Sequence, residues 1–269
     1  MCRCVEKGSY KLIFVMSETS VLKNFNKEKH FFKDPYPHIH IKQCLDKLVF
    51  ERLYENFPVQ LIKENFQLLE GHTFRALADD ILNKKTIKVH AIWQEFFEYH
   101  TSQEFYNLVM NIFEPYMDRE YKFTVGVRGA TTTKDSNLTM TTDTQFVVHQ
   151  PHKTTTRTTH IDNPLEIYAG LLYFKQRGDT SQGGDFLIHT SPEVSAVRQE
   201  LGREIPNDVE HTVQKTVTYE ANNFVMFLNS NKSVHGVTPR ENAMVDRLSI
   251  NIIGELIRGQ QAPFTLQKV

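Results

Sequence analysis

The apolar positions of this chain keep two different periods, one on each side of residue 119. In "QCLDKLVFERLYENFP", residues 43–58, Leu45, Leu48, Val49, Leu53 and Tyr54 recur at spacings of three and four, the stripe of a helix. Pro58 should end it, because the residue before a proline is driven out of the helical region. A second helix is expected around 74–83. A third begins at Thr101: "TSQE" places Glu104 three residues after a threonine N-cap, and Phe105, Leu108, Val109, Ile112 and Phe113 form one stripe that stops before Pro115. The first half therefore reads as mainly helical.

Beyond residue 119 the vocabulary changes to short β-type segments: "YKFTVGV", "TQFVVHQ", "EIYAGLLYF", "GDFLIHT", "HTVQKTVTYE", "NNFVMFLNS" and "RLSINIIGE", separated by Gly, Asn, Asp, Ser and Pro. Strands in succession with no helix between them argue for an antiparallel barrel or jelly roll. The expected class is α+β, with N-terminal helices packed on one outer sheet face. The threonine-rich stretch 131–144 fits a strand or a mobile loop equally well. No internal repeat and no Gly/Pro/Ser-rich linker divides the chain. The expected organisation is an extension over 1–25, a mainly helical support over 26–118, a β core over 119–258 and a tail over 259–269, with support and core forming one globular unit. Met16 opens the polar "MSETS", which places residues 1–15 outside the fold.

Composition narrows the partners. Thirty-one basic residues against 32 acidic ones leave a net charge of −1 over 269 residues, and no run of Lys/Arg offers an electrostatic footprint for a phosphate backbone. A nucleic-acid partner is not expected. Cys2, Cys4 and Cys44 make an odd count, neither a disulfide framework nor paired zinc spacing, which fits a reducing cytoplasm. The early apolar run "LIFVM" falls far short of the ~20 residues of a membrane span.

The candidate chemistry starts in "TTHIDNPLEIYAGLLYF", residues 158–174. If that stretch is extended, His160 and Asp162 point the same way, ~6.6 Å apart along the backbone, and one cation can take both. A second histidine would complete the two-His, one-carboxylate face of non-haem Fe(II) sites. His189, His211 and His235 are the candidates; the other histidines, His149 among them, read as surface or hydrogen-bonded structural residues. The strand "RLSINIIGE" favours His235. It alternates Arg247, Ser249 and Asn251 with Leu248, Ile250 and Ile252, so a polar face starts 12 residues past His235. Arginine offers a planar fork that matches a carboxylate, and Ser249 adds a donor on the same face, so the pattern reads as a carboxylate site beside a metal. A structural salt bridge at Arg247 is the competing explanation.

Taken together these segments resemble the Fe(II)/2-oxoglutarate-dependent dioxygenases, and within them the prolyl-hydroxylase-like branch. The resemblance spans roughly residues 34–255 and rests on "DPYPHIHIKQCLDKLVFERLYENFP", "HIDNP", "GLLYF", "GGDFLIH", "SVHGVTP" and "RLSI", in that order. It implies a double-stranded β-helix with His160, Asp162 and His235 as iron ligands, and Arg247 with Ser249 as the clamp on the far carboxylate of 2-oxoglutarate. Tyr173 is similar in position to a tyrosine that hydrogen-bonds the same carboxylate; Tyr168 has the opposite strand parity. The sequence departs from the branch in the spacing of its basic residue, and Arg240 in "GVTPR" competes with Arg247 from nearer the distal histidine. The implied cofactors are Fe(II), 2-oxoglutarate and O2, with ascorbate as an auxiliary reductant. The implied reaction is hydroxylation of an unactivated C–H bond with release of succinate and CO2. A peptide, an amino acid, a sugar or a lipid precursor all fit as substrate, and a non-catalytic metal-binding barrel is the rival class. The polar segment "KQRGDTSQGG", residues 175–184, is expected to be a turn, or a mobile hairpin over the site mouth.

Overall fold

A computed structural model of the chain describes residues 16–117, 119–129, 138–151, 158–190, 204–205, 209–257 and 259–263. The extension expected over 1–15 and half of the threonine-rich stretch, residues 131–137, lie outside the described residues. Six α-helices precede most of the strands: α1 (Lys27–His30), α2 (Lys47–Glu55), α3 (Val59–Asn65), α4 (Ala78–Leu82), α5 (Ala91–His100) and α6 (Gln103–Phe113). The strands are β1 (Phe31–Phe32), β2 (His38–Lys42), β3 (Thr73–Ala76), β4 (Val125–Val127), β5 (Met140–His149), β6 (Glu166–Tyr173), β7 (Phe186–Thr190), β8 (Thr212–Val217), β9 (Asn223–Leu228), β10 (His235–Val237) and β11 (Arg247–Leu256).

They form two sheets, as in a jelly roll. The larger runs β1-β2-β9-β6-β11-β5-β3 with β4 alongside β5, and the smaller runs β10-β7-β8. β2 and β3, from before residue 119, are hydrogen-bonded into the same large sheet as the later strands. The register settles which side chains share a face. Ser249 on β11 lies opposite Val147 on β5 and Tyr173 on β6, and Arg247 lies opposite His149. Arg247, Ser249 and Asn251 therefore face one way, and Leu248, Ile250 and Ile252 face the other.

The apolar face joins the main core with Phe146, Val148 and Leu172 and with the helix residues Leu53, Ile62, Trp93, Phe97 and Val109. Trp93 and Phe97 meet the Phe146 ring at 4.6 and 4.7 Å, and Phe50 stacks on Phe174 at 4.9 Å. A smaller core lies between the two sheets, with Phe186, Ile188 and Val217 against Ala169, Tyr173, Val225 and Phe227.

Several local expectations change. The helix expected over 74–83 is a strand and a short helix: residues 73–76 pair with β5, and only Ala78–Leu82 is helical. A vacant sheet edge outweighs intrinsic propensity there. Helix α6 is capped by Ser102, whose Oγ accepts from Phe105 N at 3.2 Å. The Thr101 hydroxyl instead donates back to Phe97 O at 2.8 Å and closes α5. Helix α5 itself was not anticipated: its buried stripe, Ile92, Trp93, Phe96, Phe97 and His100, follows a histidine N-cap, His90, whose ring accepts from Ile92 N. In "YKFTVGV" only Val125–Val127 is strand, and it runs parallel to β5.

Candidate metal and carboxylate site

Residue 160, outside the named strands, meets residue 235 at the start of β10. His160 N donates to His235 O at 2.8 Å and His235 N donates to His160 O at 2.9 Å, an isolated antiparallel bridge. That pair places the imidazoles side by side, ring centroids 4.3 Å apart, with Asp162 between their tips. Its carboxylate oxygens lie 3.6 Å from His160 Nε2 and 3.5 Å from His235 Nε2. One atom from each of the three lies within 4.8 Å of the others, and the three residues are 3%, 8% and 4% exposed.

Both rings are oriented from behind. His160 Nδ1 faces Thr158 O at 2.6 Å and His235 Nδ1 faces Ser233 O at 2.7 Å, so each Nδ1 carries the proton and each Nε2 presents a lone pair to the centre. The turn before His235 is fixed by Ser233 Oγ donating to Asn229 Oδ1 at 2.8 Å and by Tyr36 Oη donating to Val234 O at 3.1 Å. Phe186 stacks on the His235 ring at 5.1 Å and Phe227 lies at 4.7 Å, which screens that ligand from solvent. Two neutral imidazole nitrogens and one carboxylate, converging with their rear protons satisfied, fit a borderline divalent ion.

The other candidate histidines lie elsewhere. His189 and His211 pair with each other at 5.2 Å between ring centroids, and neither belongs to the cluster. Burial lowers the pKa of His189 to about 4, with the neighbouring His211 acting in the same direction.

A cavity of about 660 Å³ opens on the three ligands and is walled by the polar face of β11, including Arg247, Ser249 and Asn251. Arg247 is 1% exposed. Its Nε and Nη2 donate to Gly184 O at 3.2 and 3.0 Å, and its guanidinium lies over the rings of Tyr173 and Tyr219 at 4.9 and 5.0 Å. No carboxylate pairs with it among the described residues. The hydroxyls of Ser249 and Tyr173, directly opposite each other on β11 and β6, are buried and have no hydrogen-bond partner among the described residues. Burial raises the pKa of Tyr173, with the Arg247 charge pulling the other way, so its phenol stays a donor. An unpaired buried cation flanked by two unsatisfied hydroxyls is costly when empty, and a carboxylate would satisfy all three.

Arg240 is otherwise occupied. It forms an ion pair with Asp179 at 3.0 Å, both side chains almost fully buried, and also donates to Ser181 Oγ and Val245 O. That pair ties segment 175–184 to the fold, together with the Arg177–Glu51 ion pair and the Gln182–Glu241 bridge, so its described contacts are those of an anchored loop. Tyr168 faces the helix side of the sheet, within the main core.

The sequence reading passed over residues that shape the cavity. His149, read as a surface or structural residue, lines it opposite Arg247 and bonds Thr73 Oγ1 at 2.6 Å. Arg75 on β3 and Glu166 at the start of β6 line it too.

No family model matches the sequence, and no curated protein does. Solved structures do. A prolyl 4-hydroxylase from Phytophthora capsici superposes with a TM-score of 0.50 and 16% identity, covering 94% of this chain and 70% of that one. The fold is similar to that of this prolyl 4-hydroxylase. A prolyl-4-hydroxylase from Pseudomonas putida gives a TM-score of 0.47 at 14% identity, over 87% of this chain and 96% of that one. A prolyl hydroxylase from Trichoplax adhaerens, solved with a hypoxia-inducible-factor peptide, gives 0.45 at 11%, over 81% and 83%. At such identities the likeness to the prolyl 4-hydroxylases is one of fold. Among the described residues no helix is long and apolar enough to cross a membrane.

Proposed function

We propose that the chain is an Fe(II)- and 2-oxoglutarate-dependent oxygenase, prolyl-hydroxylase-like, that hydroxylates an unactivated C–H bond and releases succinate and CO2. One observation carries the reading: two histidine Nε2 atoms and a carboxylate converge within 4.8 Å, beside a buried arginine with no ion-pair partner among the described residues. His160, Asp162 and His235 would hold the iron, which supplies O2 activation when bound. Arg247, Ser249 and Tyr173 would hold the far carboxylate of 2-oxoglutarate, the guanidinium through its charge and the two hydroxyls as donors. Gly184 O and the two tyrosine rings fix the guanidinium plane, so that its remaining edge faces the ligand. Phe186 and Phe227 keep water from the histidine side, which protects a reactive centre from unproductive turnover. The protein's own contribution is holding and excluding, and no side chain needs to move a proton. O2 is consumed, and ascorbate would serve only to restore iron oxidised in uncoupled turnover. Cytoplasmic residence is part of the proposal, resting on the cysteine count and on Cys44, which is free and buried.

Succinate formation from 2-oxoglutarate with Fe(II) and ascorbate tests it. Wild type should form succinate, and His235→Ala and Arg247→Ala should each reduce it at least about 100-fold, since outer-shell partners alone are worth 10–100-fold. Turnover that persists in His235→Ala overturns the ligand assignment. A wild-type protein that binds Fe(II) and forms no succinate points instead to a non-catalytic metal-binding jelly roll.

A further inference from the structure

Two arginines line the cavity, and the proposed function uses one of them. Arg75 stands on β3, opposite Val147 of β5, which is itself opposite Ser249 of β11. Arg75 is thus two strands from Ser249, about 10 Å at about 4.8 Å per strand. Arg247 lies against Tyr173, Tyr219 and Gly184, whereas Arg75 bonds Gln145, so the two guanidinium groups have separate surroundings in one cavity.

Arg75 is held in place without a close ion pair among the described residues. Its Nη1 donates to Gln145 Oε1 at 2.8 Å, and Gln145 Nε2 donates to Asp143 Oδ2 at 2.7 Å. Asp143 in turn accepts from Ala78 N at 3.1 Å, and Arg128 lies 3.9 Å from it. This chain fixes the amide so that its oxygen meets Arg75. Gln145 is neutral, however, and no carboxylate lies within 4.0 Å of the Arg75 guanidinium among the described residues. Glu166, Asp143 and Asp162 act on it only at longer range, while burial works against its charge. Asp162 is also the proposed metal ligand, and a dication there would cancel its help. A half-buried guanidinium that lines a cavity and has no ion-pair partner among the described residues suits a carboxylate.

We propose that the substrate hydroxylated at this site is a small carboxylic acid whose carboxylate binds Arg75, two strands away from the 2-oxoglutarate clamp on the same sheet face. The inference rests on the oxygenase reading and names its substrate class. Arg75 and Asp162 line the same cavity, so one small molecule can present its carboxylate to Arg75 and a carbon to the metal side. A mid-chain peptide residue carries no backbone charge there, whereas a free acid does. Gln145 is then a positioning residue.

Thermal unfolding of the protein loaded with Mn(II) and N-oxalylglycine, an inert 2-oxoglutarate analogue, supplies the test. The probes are the free L-amino acids and C3–C8 monocarboxylic acids, each beside its primary carboxamide. At least one acid should raise the melting temperature by several degrees while its amide does not, and Arg75→Gln should lose the shift while Arg75→Lys keeps part of it. No acid-over-amide preference anywhere in the set overturns the proposal, as does an acid that stabilises Arg75→Gln equally. So does an internal prolyl peptide, blocked at both ends, that stabilises wild type and Arg75→Gln alike. If Mn(II) and N-oxalylglycine fail to stabilise the wild type at all, the oxygenase reading fails. If they stabilise wild type but not Arg75→Gln, Arg75 holds the cosubstrate instead, which also overturns the proposal.

Discussion

Strands β5, β6 and β11 are buried on both faces, yet the two faces are built in opposite ways. On the helix side, Phe146, Val148, Leu172, Ile250 and Ile252 pack against Trp93, Phe97 and their neighbours. On the cavity side the same strands carry Asp143, Gln145, His149, Arg247 and Ser249. One face is close-packed by its own chain; the other keeps a charge with no ion-pair partner and two hydroxyls with no hydrogen-bond partner among the described residues. Equal burial thus means different things: the first face lowers the free energy of folding, and the second holds unsatisfied groups in readiness for a ligand.

The sharpest way to separate the faces is to damage each alone. Phe146→Ala on the packed side removes contacts with Phe57, Trp93 and Phe97 and should destabilise by about 3–5 kcal/mol in denaturant unfolding. Its Mn(II) affinity, measured on the folded fraction, should stay within about twofold. A large loss of metal affinity would mean that the faces are not independent.

Acid is a gentler probe of the packed side. His100 is fully buried, takes a hydrogen bond on Nε2 from Val21 N at 3.1 Å and donates from Nδ1 to Phe96 O at 2.7 Å, a pattern only the neutral ring satisfies. Burial lowers its pKa to about 3. Its contribution to stability is therefore complete above about 6.5 and is lost as pH falls from there toward 3, by about 1.4 kcal/mol per pH unit. Unfolding free energies between pH 7 and 5 should fall more steeply in wild type than in His100→Gln, and equal slopes would refute the assignment.

Ser249→Ala should have the smallest effect, and opposite signs on two measurements. Losing a buried hydroxyl with no partner leaves the unloaded protein unchanged or slightly more stable. Losing one donor to a carboxylate weakens N-oxalylglycine binding by about 0.5–1.5 kcal/mol, roughly 2–12-fold. A destabilised apoprotein would show that the hydroxyl is structural, and the comparison between the faces would weaken.

How much of this was legible in the sequence follows from the same two faces. Alternation in "RLSINIIGE" separated Arg247 and Ser249 from Ile250 and Ile252 because strand parity needs no partner to be read. His160 and Asp162 were legible for the same reason, and His235 because the strand that follows it carries the polar face of Arg247 and Ser249. Arg75 was invisible: residues 74–83 read as helix, and a helix assigns no strand parity, so nothing placed Arg75 on the cavity side. The pairing that makes β3 a strand is with β5, more than sixty residues later, and local propensity does not hold that information. Arg240 and Arg247 were separable only in three dimensions, since the partner that occupies Arg240 is Asp179, in a loop read as an ordinary turn.

The two-bond bridge between His160 and His235 carries one more consequence. The residues are 75 positions apart, His235 in β10 and His160 outside the named strands, so a divalent ion shared by them would act as a removable cross-link that closes a long loop. Closing loops of this size by a covalent link restricts the unfolded chain by about 4 kcal/mol in the chain-entropy picture. Iron supply would then set the lifetime of the polypeptide as well as its turnover: chains made during iron starvation would open at this seam and meet proteases first.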